Sequence, residues 1–194
     1  MILPIVAYGD PVLRKVGKEI DKDYPNLTEL IANMKETMYN ASGVGLAAPQ
    51  IGKDIRLFVI DASPFAADED LSDEDRKVLE GFNRVFINAK ILEEEGEEWV
   101  FNEGCLSIPD VREDVWRKPT ITIEYQDENF ETKTEVLSGL AARVFQHEYD
   151  HIEGVLFTDK LSSLKKRLIK KKLENISKGK IRSDYRMRFP KLKR

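Results

Sequence analysis

The chain of 194 residues contains two histidines, and both fall within QHEYDHIEG, residues 146–154. His147 and His151 stand four positions apart, with Glu148 directly after the first. On a helix, residues i and i+4 stack on one face about one turn apart, so both imidazoles can aim a ring nitrogen at one ion. Glu148, rotated around the helix, would reach a water held by that ion and serve as its general base. A lone histidine on an apolar helix is better read as a core residue, whereas this trio points to a metal centre. A catalytic centre of this kind needs a third protein ligand.

A third histidine is impossible. Glu174, 23 residues after His151, has the place of a downstream glutamate ligand, but it lies in KKRLIKKKLENISKGK, where pairing with neighbouring lysines accounts for it. Cys105 is the only thiol. A thiolate binds divalent transition metals strongly and is kept deprotonated by them. Lone cysteines usually act as small buried hydrophobes, but NEGCLSIPD surrounds Cys105 with turn-forming residues, where a core filler is less expected. Cys105 is therefore the favoured third ligand, with Glu174 as its rival.

Three segments, GVGLAAPQIG (43–52), EGCLSIP (103–109) and QHEYDH (146–151), stand in an order that resembles the peptide deformylase family. The likeness runs from about DPVLRKV near the N-terminus to GVLFTDKLS near residue 162, and EGCLS is similar to the bacterial form with leucine after the cysteine. The resemblance implies that Cys105, His147 and His151 hold one divalent metal, Fe²⁺ ahead of Ni²⁺, Co²⁺ or Zn²⁺, with a fourth position for water. It implies that Glu148 moves the proton during removal of the formyl group from an N-terminal formylmethionine. Gln50, through its side-chain amide, and the backbone N–H of Leu106 would stabilise the oxyanion. Val44, Gly45 and Gly104 would line the peptide, Leu140 and Val144 the methionine side chain, and Arg112 the substrate further along. Ion pairing with Glu113 or Asp114 is an equally good reading of Arg112. Arg143 departs from the pattern, because some relatives carry an apolar pocket residue there.

Several elements must position these groups. Leu27, Leu30, Ile31, Met34 and Met38 recur at helical spacing between Pro25 and Gly43. IRLFVID (55–61), RVFINAKIL (84–92), TITIEYQD (120–127) and ETKTEVL (131–137) are rich in β-branched residues and predict strands. The acidic stretch from about 62 to 82 predicts a surface excursion with at most a short helix. Ser138 and Gly154 bracket the histidine helix as cap and stop, with Leu140, Val144 and Ile152 on its inward side. A last helix is expected from about Ser163 to Ile176, with Leu164, Leu168, Leu173 and Ile176 on its apolar stripe. Strands and helices mix without βαβ regularity, so the expected class is α+β, with mixed or antiparallel strands around the central HExxH helix and a C-terminal helix. Residues 1–162 would form the catalytic domain, and 163–194 a basic helix and tail of the same domain.

Hydrophobic residues at 41% and charged residues at 34% are normal for a globular protein and too apolar for a disordered one. No run approaches the roughly 18–20 apolar residues that span a bilayer. The N-terminus lacks a basic leader before an apolar stretch, and one cysteine permits no intrachain disulfide, so a cytoplasmic protein with no membrane partner is expected. The net charge of −4 hides an asymmetry: residues 160–194 hold 15 of the 31 Lys and Arg and only two acids, giving +13 against −17 for residues 1–159. Such a tail suits a polyanionic partner, nucleic acid foremost, and a solvated helix face with a loose end is an equally good reading of the composition. The resemblance implies N-formylmethionyl nascent peptides as substrates, and the expectation follows that residues 160–194 dock on the ribosome near the exit tunnel.

Overall fold

In chain order the elements are β1 (Ile5–Val6), α1 (Leu27–Asn40), β2 (Gly45–Ala47), β3 (Leu57–Asp61), α2 (Asp73–Glu80), β4 (Asn83–Glu95), β5 (Trp99–Cys105), β6 (Ile108–Arg117), β7 (Thr120–Gln126), β8 (Thr132–Ser138), α3 (Gly139–Ile152), α4 (Ser163–Ser177) and β9 (Met187–Arg188). This computed structural model describes residues 1–190. The last residues of the basic tail, 191–194, lie outside the described residues.

Five strands form one antiparallel sheet in the order β2-β3-β4-β7-β8, which leaves β2 at an edge. Successive side chains of a strand point to opposite faces, so LFVID, buried at every position, must be covered on both. Phe58 and Ile60 enter one core with Phe86, Ile123 and the α3 residues Ala142, Val144 and Phe145. Leu57 and Val59 enter a second, with Leu30, Ile31, Met34 and Met38 of α1. The α+β expectation holds: the sheet is flanked by helices, and α3 lies against the β2–β3 edge that carries the functional segments.

Helix α3 is anchored by Phe145, whose ring meets Phe58 and Phe86 edge-on at 5.2 and 5.0 Å. Truncating a buried ring of this kind costs about 3–5 kcal/mol. The helix stops at Gly154, in the left-handed region at φ +72, where a Cβ would lie 2.7 Å from the Arg14 carbonyl oxygen. Ser138 precedes α3 without a side-chain capping bond.

Beside the sheet, β5 and β6 form an antiparallel hairpin that strand patterning alone did not predict. It packs with α4 and the N-terminal segment around Ile108, Val111, Val115 and Phe157. The apolar stripe of α4 differs from expectation. Ile169, Leu173 and Ile176 are buried, whereas Leu164 and Leu168 are 60% and 71% exposed. Positions 169, 173 and 176 follow the i, i+4, i+7 phase; Leu164 and Leu168 each precede that row by one residue and so turn about 100° away from it. The chain then returns, and β9 pairs in parallel with β1. Among the described residues no helix is long and apolar enough to cross a membrane.

Candidate metal centre and substrate cleft

One face of α3 presents both imidazoles, with ring centroids 5.1 Å apart. Cys105 ends β5 just after a register shift between Gly104 and Cys105, and its Sγ lies 3.3 Å from His151 Nε2. The bulge and the turn that follows aim the thiol at the helix; of the stretch NEGCLSIPD, expected to be turn-like, only Leu106 and Ser107 form a turn, and the rest belongs to β5 and β6. One ligand atom from each of Cys105, His147 and His151 falls within 4.8 Å of the others, and no other such group occurs among the described residues. Glu174, the rival ligand, is exposed on α4 and takes no part.

Glu103 organises this centre from behind. Its buried carboxylate sits 3.0 Å from His147 Nδ1 and accepts from Arg117 Nε at 2.7 Å, Arg117 Nη2 at 3.0 Å and Arg143 Nη1 at 3.0 Å. An ionised carboxylate only accepts, so His147 Nδ1 carries the hydrogen and Nε2 is left to bind a ligand. Burial alone would raise the Glu103 pKa, but the His147 bond and the Arg117 guanidinium outweigh it and hold the carboxyl far below its usual range. Arg117 bridges onward to Asp150 at 2.8 Å, tying hairpin and helix together.

Glu148 packs against β2. A Cβ on Gly45 would lie 2.3 Å from Glu148 Oε1, and one on Gly43 would lie 2.7 Å from Leu106 Cδ1. Neither glycine has a positive φ, so close approach is the reason for both. Burial raises the pKa of Glu148 to about 7, partly opposed by His147. Among the described residues its buried Oε2 has no hydrogen-bond partner. Gln50 accepts the Ala47 N–H through Oε1 at 2.9 Å and points Nε2 at Ser107 Oγ, 3.3 Å, and Cys105 Sγ, 3.5 Å. The donor set of one thiol and two imidazoles, with an unpartnered carboxylate oxygen alongside, fits a divalent transition metal.

These groups open onto a cleft of about 500 Å³. Val44, Gly45, Gly104, Leu106, Arg112 and Val144 all line it. The polypeptide deformylase family model matches residues 2–167. The peptide deformylase of Flavobacterium johnsoniae is 72% identical over 194 residues, covering 100% of this chain and 99% of that relative. The chain belongs to the polypeptide deformylase family. The crystal structure of the Thermotoga maritima peptide deformylase superposes with a TM-score of 0.71 at 41% identity, covering 84% of this chain and 99% of that one. A Legionella pneumophila peptide deformylase gives 0.77 at 36%, covering 94% and 99%. Membership makes the chain a hydrolase that removes N-terminal formyl groups.

Within this deformylase, some expected residues meet and others do not. Leu140, expected beside Val144, is one turn nearer the start of α3 and packs against the core instead of lining the cleft. Arg112 pairs with neither Glu113 nor Asp114; it donates to Asn102 Oδ1 at 2.9 Å and to the Asn102 carbonyl at 2.6 Å, braced at the cleft mouth. Arg143 lines the cleft, and its guanidinium binds Glu103, the Val115 carbonyl at 3.0 Å and the Trp99 carbonyl at 2.7 Å. It also lies over the Trp99 ring, 4.5 Å from the centroid. Sequence reasoning missed Phe65 and Phe101, which meet edge-on at 6.1 Å in the cleft wall. Phe65 comes from the Ser63–Ala67 turn that opens the acidic 62–82 stretch, so that excursion supplies part of the wall. The role of Glu103 was missed too, because the partners that make a buried carboxylate tolerable there come from β6 and α3.

Proposed function

We propose that Cys105, His147 and His151 hold one divalent transition metal, with Fe²⁺ ahead of Ni²⁺, Co²⁺ and Zn²⁺, and that Glu148, Gln50 and Leu106 carry out deformylation beside it. The observation that carries this reading is the convergence of the three ligand atoms within 4.8 Å, next to a buried carboxylate oxygen without a partner. A metal held there supplies Lewis acidity, which polarises a carbonyl and acidifies water near neutral pH.

The residues do the remainder. The formylated peptide lies along the free edge of β2, with Val44 and Gly45 on one side and Gly104 on the other, in the manner of strand addition. Val144, Phe65 and Phe101 enclose the methionine side chain, and Arg112 meets the substrate further along. Glu148 accepts a proton from the water that adds to the formyl carbon. Gln50 Nε2 and the Leu106 N–H donate to the oxygen as it gains charge. The carbon–nitrogen bond then breaks, Glu148 returns its proton to the leaving amine, and formate departs. The test of the ligand set is metal content. Cys105→Ala is expected to reduce bound metal from about one per chain to a small fraction, and Glu174→Ala to leave it unchanged; the reverse pattern would establish Glu174 as the ligand.

For partners, the reading is cytoplasmic action on nascent chains, with the basic segment 160–194 docked on the ribosome near the exit tunnel. It is supported by α4, where Lys166, Arg167, Lys170, Lys171 and Lys172 are exposed around Leu164 and Leu168. Phosphate contacts of this kind are salt-sensitive. Arg167→Glu with Lys171→Glu is expected to abolish cosedimentation with ribosomes at low salt; undiminished cosedimentation would rule out docking through this helix.

A further inference from the structure

The C-terminal return was outside every motif, yet it reaches the cleft. Pairing of β9 with β1 is secured by Ile5 N–H to the Arg186 carbonyl and Ala7 N–H to the Arg188 carbonyl, both at 2.9 Å. Two residues before β9, Tyr185 is half-buried against the same apolar cluster as Leu106, and it lines the cleft. Its hydroxyl donates to the Leu106 carbonyl oxygen at 2.7 Å. Burial pushes the phenol pKa up, so the group stays a donor throughout the neutral range.

We propose that Tyr185 is a positioning residue for deformylation: by holding the carbonyl of the Leu106–Ser107 peptide it fixes the Leu106 backbone, so that the Leu106 N–H, in the preceding peptide beside Cys105, keeps its aim at the developing oxyanion. The inference rests on the reading of Leu106 and Gln50 as oxyanion donors. The turn after Cys105 is held at three points. Tyr185 takes the Leu106 carbonyl, the Tyr8 N–H takes the Ser107 carbonyl at 2.9 Å, and Gln50 Nε2 takes Ser107 Oγ. Tyr8 follows β1 and Tyr185 precedes β9, so the pairing of the two chain ends fixes the separation of two of these anchors. The same strand reaches the second donor segment. A Cβ on Gly52, which ends the turn bearing Gln50, would lie 2.5 Å from Arg188 Nη2, so the guanidinium lies directly over it. Residues 185–188 thus contact the supports of both donors, and a hydrogen bond from a rigid strand restricts a turn that would otherwise flex.

Tyr185→Phe keeps the ring and removes only the tether. It is expected to lower kcat about tenfold while KM changes less than about twofold, because the donors act on charge present only in the transition state. Thermal unfolding of the same metal-loaded protein is measured alongside, and Gln50→Ala serves as the reference. A lowered unfolding temperature with kcat unchanged would make Tyr185 merely structural and overturn the proposal. If Gln50→Ala depresses kcat and Tyr185→Phe does not, the positioning role fails and the oxyanion reading stands. If neither variant changes kcat, the oxyanion reading itself fails, and the inference with it.

Discussion

Glu148→Gln lowers kcat/KM for formate release from a formyl-methionyl peptide by about a thousandfold, the middle of the range for general acid–base groups. Glutamine fills the same volume, so metal content stays at the wild-type level, and the loss belongs to proton transfer alone. The pH dependence follows from burial. Wild-type activity falls on the acid side as Glu148 takes up a proton, with a midpoint at or below about 7, since a nearby cation favours the carboxylate. Stability moves the other way. Between the usual carboxylate range and pH about 7, the folded chain holds a proton that the unfolded chain has released, so stability falls as pH rises through that window. Metal-free Glu148→Gln lacks this slope and unfolds at a higher temperature than wild type at pH 8, as expected where a site strains its own fold. Activity retained within threefold would remove Glu148 from the mechanism.

Glu103→Ala has the largest effect on stability. It strips Arg117 and Arg143 of their shared carboxylate, 3.0 Å or less away in each case, and both side chains are almost fully buried. Breaking a buried ion pair by removing one partner costs about 3–5 kcal/mol, and Arg117 retains only Asp150. The same change frees the His147 ring, and losing such a support weakens metal binding by about 10–100-fold. Denaturant unfolding and metal titration read the two effects separately. Because the Glu103 pKa is lowered in the fold, its contribution is fully present above the ordinary carboxylate range and is lost only as pH falls well below it. A loss under about 1 kcal/mol with normal metal affinity would show that the arginines find other partners.

The centre was more legible than its supports. With two histidines and one cysteine in the chain, ligand chemistry left few choices, and Gln50 and Glu148 sat inside motifs. Strands β3, β4, β7 and β8 followed from stretches rich in β-branched residues. The β5–β6 hairpin did not, because WVFNEGC and IPDVREDVWR mix charges with partly exposed apolar residues, and their strand character comes from pairing with each other. Glu103 carried no local mark of burial, since only the tertiary approach of Arg117, Arg143 and His147 makes a buried carboxylate tolerable there. The error on α4 was one of phase, where leucines on two adjacent rows gave two stripes and packing chose one. Nothing in GKIRSDYRMRFPKLKR announces a two-residue parallel strand whose partner, β1, lies at the other end of the chain. Local periodicity is silent on such pairing.

The decisive measurement is formate release from formyl-Met-Ala-Ser by anaerobically purified protein, with metal content read from the same sample. The expected result is rapid release from protein holding about one metal per chain, with both lost together in Cys105→Ala. Fully metallated protein that releases no formate and instead cleaves inside an unblocked peptide would contradict the assignment at its root.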